Sequence, residues 1–105
     1  MEKELTFSED NGTLTAHLIG EIDHHAAKRL REETDAMLFH KKPKALILDF
    51  SSVGFMDSSG IGFIIGRAEV AADVGAKIVV IGLDGTQKKL ARLSGIEKVK
   101  NVTVV

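Results

Sequence analysis

The 105-residue chain has no cysteine, no tryptophan and no tyrosine, and only one proline, Pro43. Without a thiol there is no disulfide, no cysteine-ligated zinc, no iron–sulfur cluster and no cysteine nucleophile, which fits a reducing compartment and points to the cytoplasm. Five phenylalanines and a net charge of −1, from 14 basic and 15 acidic residues, leave neither a stacking platform nor a basic stripe. DNA and RNA are therefore poor candidates as partners. Long apolar runs are also missing. The most apolar stretches, Ala45–Leu48 and Ile78–Ile81, fall far short of the ~20 residues that a membrane helix needs. The opening MEKELTF has no basic segment leading into an apolar one, so no secretory signal is expected. No serine- or glycine-rich linker, low-complexity tract or repeat divides the chain. One domain over 1–105 is expected, large enough to bury roughly two-thirds of the surface its unfolded form would expose.

What is present reads as alternating strands and helices. Residues 3–10 and 13–20 flank Asn11-Gly12, a dipeptide suited to a type I′ turn, and Leu14, Ala16 and Leu18 alternate onto one face. This predicts an N-terminal β-hairpin. Over 24–40 the period changes: Ala27, Leu30, Thr34, Met37 and Leu38 form one stripe, and charged residues with possible Lys28–Glu32 and Arg31–Asp35 pairs cover the rest. An amphipathic helix ending before Pro43 follows. Ala45–Phe50 lacks polar alternation, as expected of a strand covered on both faces. Residues 58–74 form a second helix with Ile61, Ile64, Ile65, Ala68 and Ala72 aligned and Gly75 past its end. Lys77–Ile81 is a strand, 86–94 a helix with Leu90 and Leu93 inward, and Val102–Val105 a last strand. The fold class is α/β, in the order ββαβαβαβ, with a mixed, mostly parallel sheet and right-handed crossovers. Loops 20–24, 51–58 and 82–86 then emerge at one edge, where open α/β sheets bind their ligands.

The stretch DFSSVGFMDSSGIGFIIG, residues 49–66, lies on that edge and holds an acid and two serines where a helix begins. Asp57, Ser58 or Ser59 can simply cap that helix, and Asp23 can cap the first one. Ser58 as a hydrolytic nucleophile is disfavoured, because the G-x-S-x-G elbow is absent and no third group orients His17, His24, His25 or His40 toward it. The string Gly60, Gly62, Gly66 is not a dinucleotide fingerprint, since Phe55–Ser59 intervene between strand and glycines. Nor does a phosphate-binding G-x-x-x-x-G-K-[ST] loop occur. His24 and His25 are adjacent rather than four apart, so no helical metal pair is expected. Phe7, Phe50 and Phe63 fit core positions; Phe55 and Met56, before Ser58, are either core plugs or exposed anchors for a partner, and Phe55 is expected to be buried. A remaining use of an exposed serine at a helix start is phosphorylation. The phosphate adds about −1.5 to −2 charges, which the positive helix end accepts without unfolding, so an acidic partner surface would be repelled.

DFSSVGFMDSSGIG resembles the signature of STAS domains, specifically the bacterial anti-sigma factor antagonists, in which the first serine of the D-S-S/T-G segment is phosphorylated. GEIDHHAAKRLR, residues 20–31, is similar to a second landmark, and its paired histidines look more like the sporulation (anti-sigma-F) branch than the general-stress branch. IGRAEVAADVGAKIVVIG and KKLARLSGIEKV continue the likeness. The resemblance implies a single STAS domain that is not an enzyme and holds no cofactor or metal of its own. It implies that the unphosphorylated form binds an anti-sigma factor serine kinase of the GHKL type and so releases a sporulation sigma factor. The kinase, which carries ATP and Mg²⁺, would phosphorylate Ser58, and a PP2C-type phosphatase would restore it. Gly20, Glu21, Asp23, Asp57, Ser59, Gly60, Ile61 and Gly62 are the expected partner contacts around Ser58. The free domain is expected to be a monomer. An alternative use of the same edge is a STAS module that senses a nucleotide or lipid. Members of that family usually continue into a further helix, for which a chain ending at Val105 leaves no room.

Overall fold

The computed structural model describes residues 4–105. Its elements are β1 (Leu5–Asp10), β2 (Thr13–Ile22), α1 (His24–Lys41), β3 (Ala45–Met56), α2 (Ser58–Asp73), β4 (Lys77–Ile81), α3 (Gly85–Leu93), a 3-10 turn (Ile96–Lys98) and β5 (Val102–Val104). The five strands lie side by side in chain order, β1 antiparallel to β2 and every later pair parallel. The hairpin turns at Asn11 and Gly12, both at positive φ (50° and 82°), as a type I′ turn requires. Lys3, the expected first residue of the hairpin, lies outside the described residues.

Each crossover joins adjacent strands and steps in the same direction, so right-handed connections place the helices on one face of the sheet. The burial pattern agrees. Leu14, Leu46, Ile78 and Val102 form one buried row, and Ala16, Leu48 and Val80 the next. The alternate residues Thr15, Ile47, Val79 and His17, Asp49, Ile81 are only half-buried on the opposite face. The central strand is therefore covered on one face, not two. Its run of apolar residues reflects Ala45 and Ile47, which lie half-buried on the open face beside Val79 of β4.

The helices are rotated slightly from their expected positions. In α1 the buried residues are Ala26, Leu30, Thr34 and Leu38, with Ala27 and Met37 at the margin. In α2, Phe63, Arg67 and Ala71 join Ile61, Ile64 and Ala68, while Ala72 is exposed. Arg67 enters the core because Asp35 of α1 meets it, Nε to Oδ1 at 2.6 Å, and its guanidinium lies 5.3 Å from the Phe63 ring centroid. Asp35 is thus engaged by Arg67 rather than Arg31, and Arg29 pairs with Glu4 of the first strand region at 2.6 Å. In α3 the inward residues are Gln87 and Ala91; Leu90 is marginal and Leu93 is 77% exposed. Gln87 is held inward by a capping box with Asp84 and by donating its side-chain amide to the Val53 carbonyl at 3.1 Å. Among the described residues no helix is long and apolar enough to cross a membrane.

Candidate functional site

β3 does not end at Phe50. It runs on to Met56, and beyond its last pairing with β4 at Asp49–Ile81 its strand partner is β2, through Ile19–Ser52, Gly20–Val53, Glu21–Phe55 and Ile22–Met56. Segments 20–22 and 51–56, expected as loops, therefore form a two-stranded ribbon that overhangs the sheet. A register shift between Gly20 and Glu21, with Gly20 at φ +98°, bends it, as a bulge does. Gln87 of α3 props the ribbon from Val53.

Both strands of the ribbon stop together, and each hands over to an aspartate. Asp23 follows Ile22 and Asp57 follows Met56, so register alone sets the two helix caps side by side. The Asp23 carboxylate accepts from the Ala26 N–H at 2.9 Å, and that bond holds the Asp23 carboxyl below its ordinary pKa. Asp57 accepts from the Ser59 N–H at 2.8 Å, while its own N–H reaches the Ile22 carbonyl at 3.4 Å. The N-termini of α1 and α2 are thereby joined at one edge, and their dipoles add positive potential there. The caps are the aspartates, and Ser58 is released from that duty.

Ser58 is exposed as the first residue of α2, Ser59 half-buried behind it. Gly20, Glu21, Asp23 and Gly62 are exposed and Asp57 is partly covered. Gly60 and Ile61 turn inward. Ile61 is 5% exposed, and a Cβ on Gly60 would meet the Met56 Sδ at 2.9 Å. Gly60 and Ile61 thus hold the helix start against the ribbon. Phe55 behaves oppositely to expectation. It is 53% exposed, whereas Met56 is buried, because the register shift that leaves Gly54 unpaired between Gly20–Val53 and Glu21–Phe55 breaks the alternation, so that Val53 and Met56 face the core and Phe55 faces out. The sequence leaves an exposed anchor open at Phe55; what it does not show is that the strand continues past Ser51 with a shifted register.

Among the described residues no histidine is hydrogen-bonded to Ser58 and no three acidic or histidine side chains gather as a metal-binding group. The chemistry of the edge is that of a hydroxyl on a helix N-terminus, rimmed by acids and one exposed ring. Beside it runs a groove of about 470 Å³ between α1 and α2. His24, Lys28 and Arg31 line one wall and Ser59, Gly62, Gly66 and Glu69 the other.

Residues 4–103 match the family model described as the STAS domain. The chain belongs to the STAS-domain family. It is 31% identical over 84 residues to the anti-sigma F factor antagonist of Lysinibacillus sphaericus, covering 80% of this chain and 72% of that one. It is 28% identical over 99 residues to the anti-sigma F factor antagonist of Paenibacillus polymyxa, covering 94% and 85%. The solved structure of the anti-sigma factor antagonist SpoIIAA in its unphosphorylated form superimposes with a TM-score of 0.80 at 25% identity, over 96% of this chain and 87% of that one. The Bacillus protein in its phosphorylated form superimposes at 0.72. This STAS domain therefore shares its fold with a protein solved both with and without phosphate.

Proposed function

We propose that this STAS domain is an anti-sigma factor antagonist of the sporulation type, acting in the cytoplasm as a phosphorylation-controlled binding module. Its unphosphorylated form binds an anti-sigma factor serine kinase of the GHKL type and frees the sigma factor. Phosphorylation of Ser58 by that kinase, with the kinase's own ATP and Mg²⁺, ends the binding, and a PP2C-type phosphatase resets it. The observation that carries this reading is the placement of Ser58, the exposed first residue of α2, already relieved of capping by Asp57. A phosphate there would sit on the positive helix end, so the fold tolerates it. It would also stand beside Asp57, Asp23 and Glu21, so the edge turns strongly acidic and repels an acidic surface or a partner-bound nucleotide. In this reading the switch works on the interface and leaves the domain intact.

Binding of the two Ser58 variants to the kinase tests this. Ser58→Ala should bind as wild type and resist release by ATP. Ser58→Asp should bind at least about tenfold more weakly, a change of ~1.4 kcal/mol. Equal binding by Ser58→Asp would contradict the electrostatic account. A second reading, ligand sensing, is favoured by one observation, the groove with His24, Lys28 and Arg31 on one wall. Micromolar binding of a nucleotide or a lipid headgroup to the isolated domain by titration calorimetry would support it.

A further inference from the structure

The open face of the sheet gathers three side chains that no role at Ser58 uses. Ser8 on β1, His17 on β2 and Asp49 on β3 all project from that face, as the pairs Thr6–His17, Ser8–Thr15 and His17–Asp49 require. The His17 Nδ1 lies 3.1 Å from the Asp49 Oδ2, and its Nε2 lies 3.1 Å from the Ser8 Oγ. Asp49 is itself fixed, for its Oδ1 accepts from the Ser51 N–H at 3.0 Å and the Ser51 hydroxyl at 2.7 Å. Burial raises the Asp49 pKa, but the Ser51 hydrogen bonds and His17 outweigh it and the net shift is downward. With Asp49 ionised and the imidazole neutral, the chain is satisfied when Nδ1 carries the proton toward Asp49, Nε2 offers its lone pair, and the Ser8 O–H donates to it. These are the three roles of nucleophile, base and orienting acid, which are recognised by geometry and not by sequence position.

We infer that Ser8 is an activated serine able to accept an acyl group from small activated esters. This stands apart from the antagonist reading, which rests on Ser58. Ser8 is exposed and His17 is 42% exposed, so a small electrophile reaches both. The row running from Ser8 through Thr15 to the half-buried Ile47 and Val79 places apolar surface roughly 10 Å away, two strand spacings. In the step itself the Ser8 Oγ bonds to the ester carbonyl carbon and its proton passes to the His17 Nε2. The carbon–oxygen bond to the leaving alcohol then breaks, and that oxygen takes the proton from His17. Acyl-Ser8 remains, and water returns the serine by the same route.

The test is incubation of the full chain with p-nitrophenyl acetate, following nitrophenol release and mapping the acetylated peptide. Acetylation at Ser8 faster than at any other serine is expected. His17→Gln, a surface substitution, should slow it by roughly 100-fold, the usual contribution of a positioned base. Asp49→Asn should slow it too, with circular dichroism as the folding check; if that variant fails to fold, His17→Gln decides alone. Acetylation spread evenly over the serines, or undiminished in His17→Gln, would overturn the inference.

Discussion

Gly60 and Gly62 stand two residues apart on α2, yet an alanine at each should move stability in opposite directions. In a helix interior, glycine costs roughly 0.5–1 kcal/mol relative to alanine because it loses more backbone freedom on folding. At Gly62 that gain is unopposed, for an added Cβ has nothing within 4 Å. At Gly60 the Cβ would lie 2.9 Å from the Met56 Sδ, 3.1 Å from its Cβ and 3.3 Å from its Cγ. The Met56 Cβ cannot retreat alone, because Met56 is 5% exposed and its backbone is paired with Ile22. Overpacking of this kind costs about 1–3 kcal/mol, which exceeds the helix gain. Gly62→Ala should therefore stabilise by about 0.5–1 kcal/mol, and Gly60→Ala should destabilise by up to about 2.5 kcal/mol net. Urea unfolding of the two variants beside wild type reads the difference as a shift in midpoint at constant slope. Equal midpoints, or a stabilised Gly60→Ala, would refute the claim that this glycine is there to let α2 close on the ribbon. Gly62→Ala adds a functional arm: it remains folded, so any loss of kinase binding reports close approach of the partner to the exposed glycine.

Phe55→Ala should leave stability within about 0.5 kcal/mol, as expected for an exposed position, yet weaken kinase binding by about 1–2 kcal/mol if the ring is an interface anchor. Calorimetric titration of the folded variant checks both. Arg67→Ala should destabilise by about 3 kcal/mol, near the low end for breaking a buried pair, because Arg67 is 4% exposed but its partner Asp35 is 24% exposed; chemical denaturation measures it. Asp49 has a lowered folded pKa, so its stabilisation is present above the unfolded carboxylate pKa of about 3.9 and is lost as pH falls below it. Unfolding midpoints between pH 6 and pH 3 should drop less steeply in Asp49→Asn than in wild type.

The order of elements was legible because each carries its own punctuation: Asn11-Gly12 between two alternating runs, Pro43 after the first helix, Gly75 after the second. The edge on which Ser58 stands followed from parallel strands alone. The ribbon was not legible, since Ser51, Ser52 and Gly54 read as loop residues, and only pairing with β2 draws them into a strand. The exposure of Phe55 depends on the register shift beside Gly54, which is set by pairing with Gly20 and Glu21 and not by the local sequence. The inward turn of Arg67 and Gln87 escaped for a different reason. Periodicity counts apolar residues, and these polar ones are buried by partners distant in sequence, Asp35 and the Val53 carbonyl. The Asp84–Gln87 capping box was visible as D-x-x-Q and would have set the start of α3. The open second face of the sheet is a property of topology: a half-buried Ile47 and a doubly covered one look the same in sequence.

The central claim is that Ser58 is the switch. Its most direct test is intact-mass spectrometry of the pure protein after incubation with a cognate anti-sigma factor kinase and Mg-ATP, followed by peptide mapping. The account predicts one added phosphate, on Ser58, and none on Ser58→Ala. No phosphate from a kinase that modifies a known antagonist, or phosphate on Ser59 in place of Ser58, would contradict it.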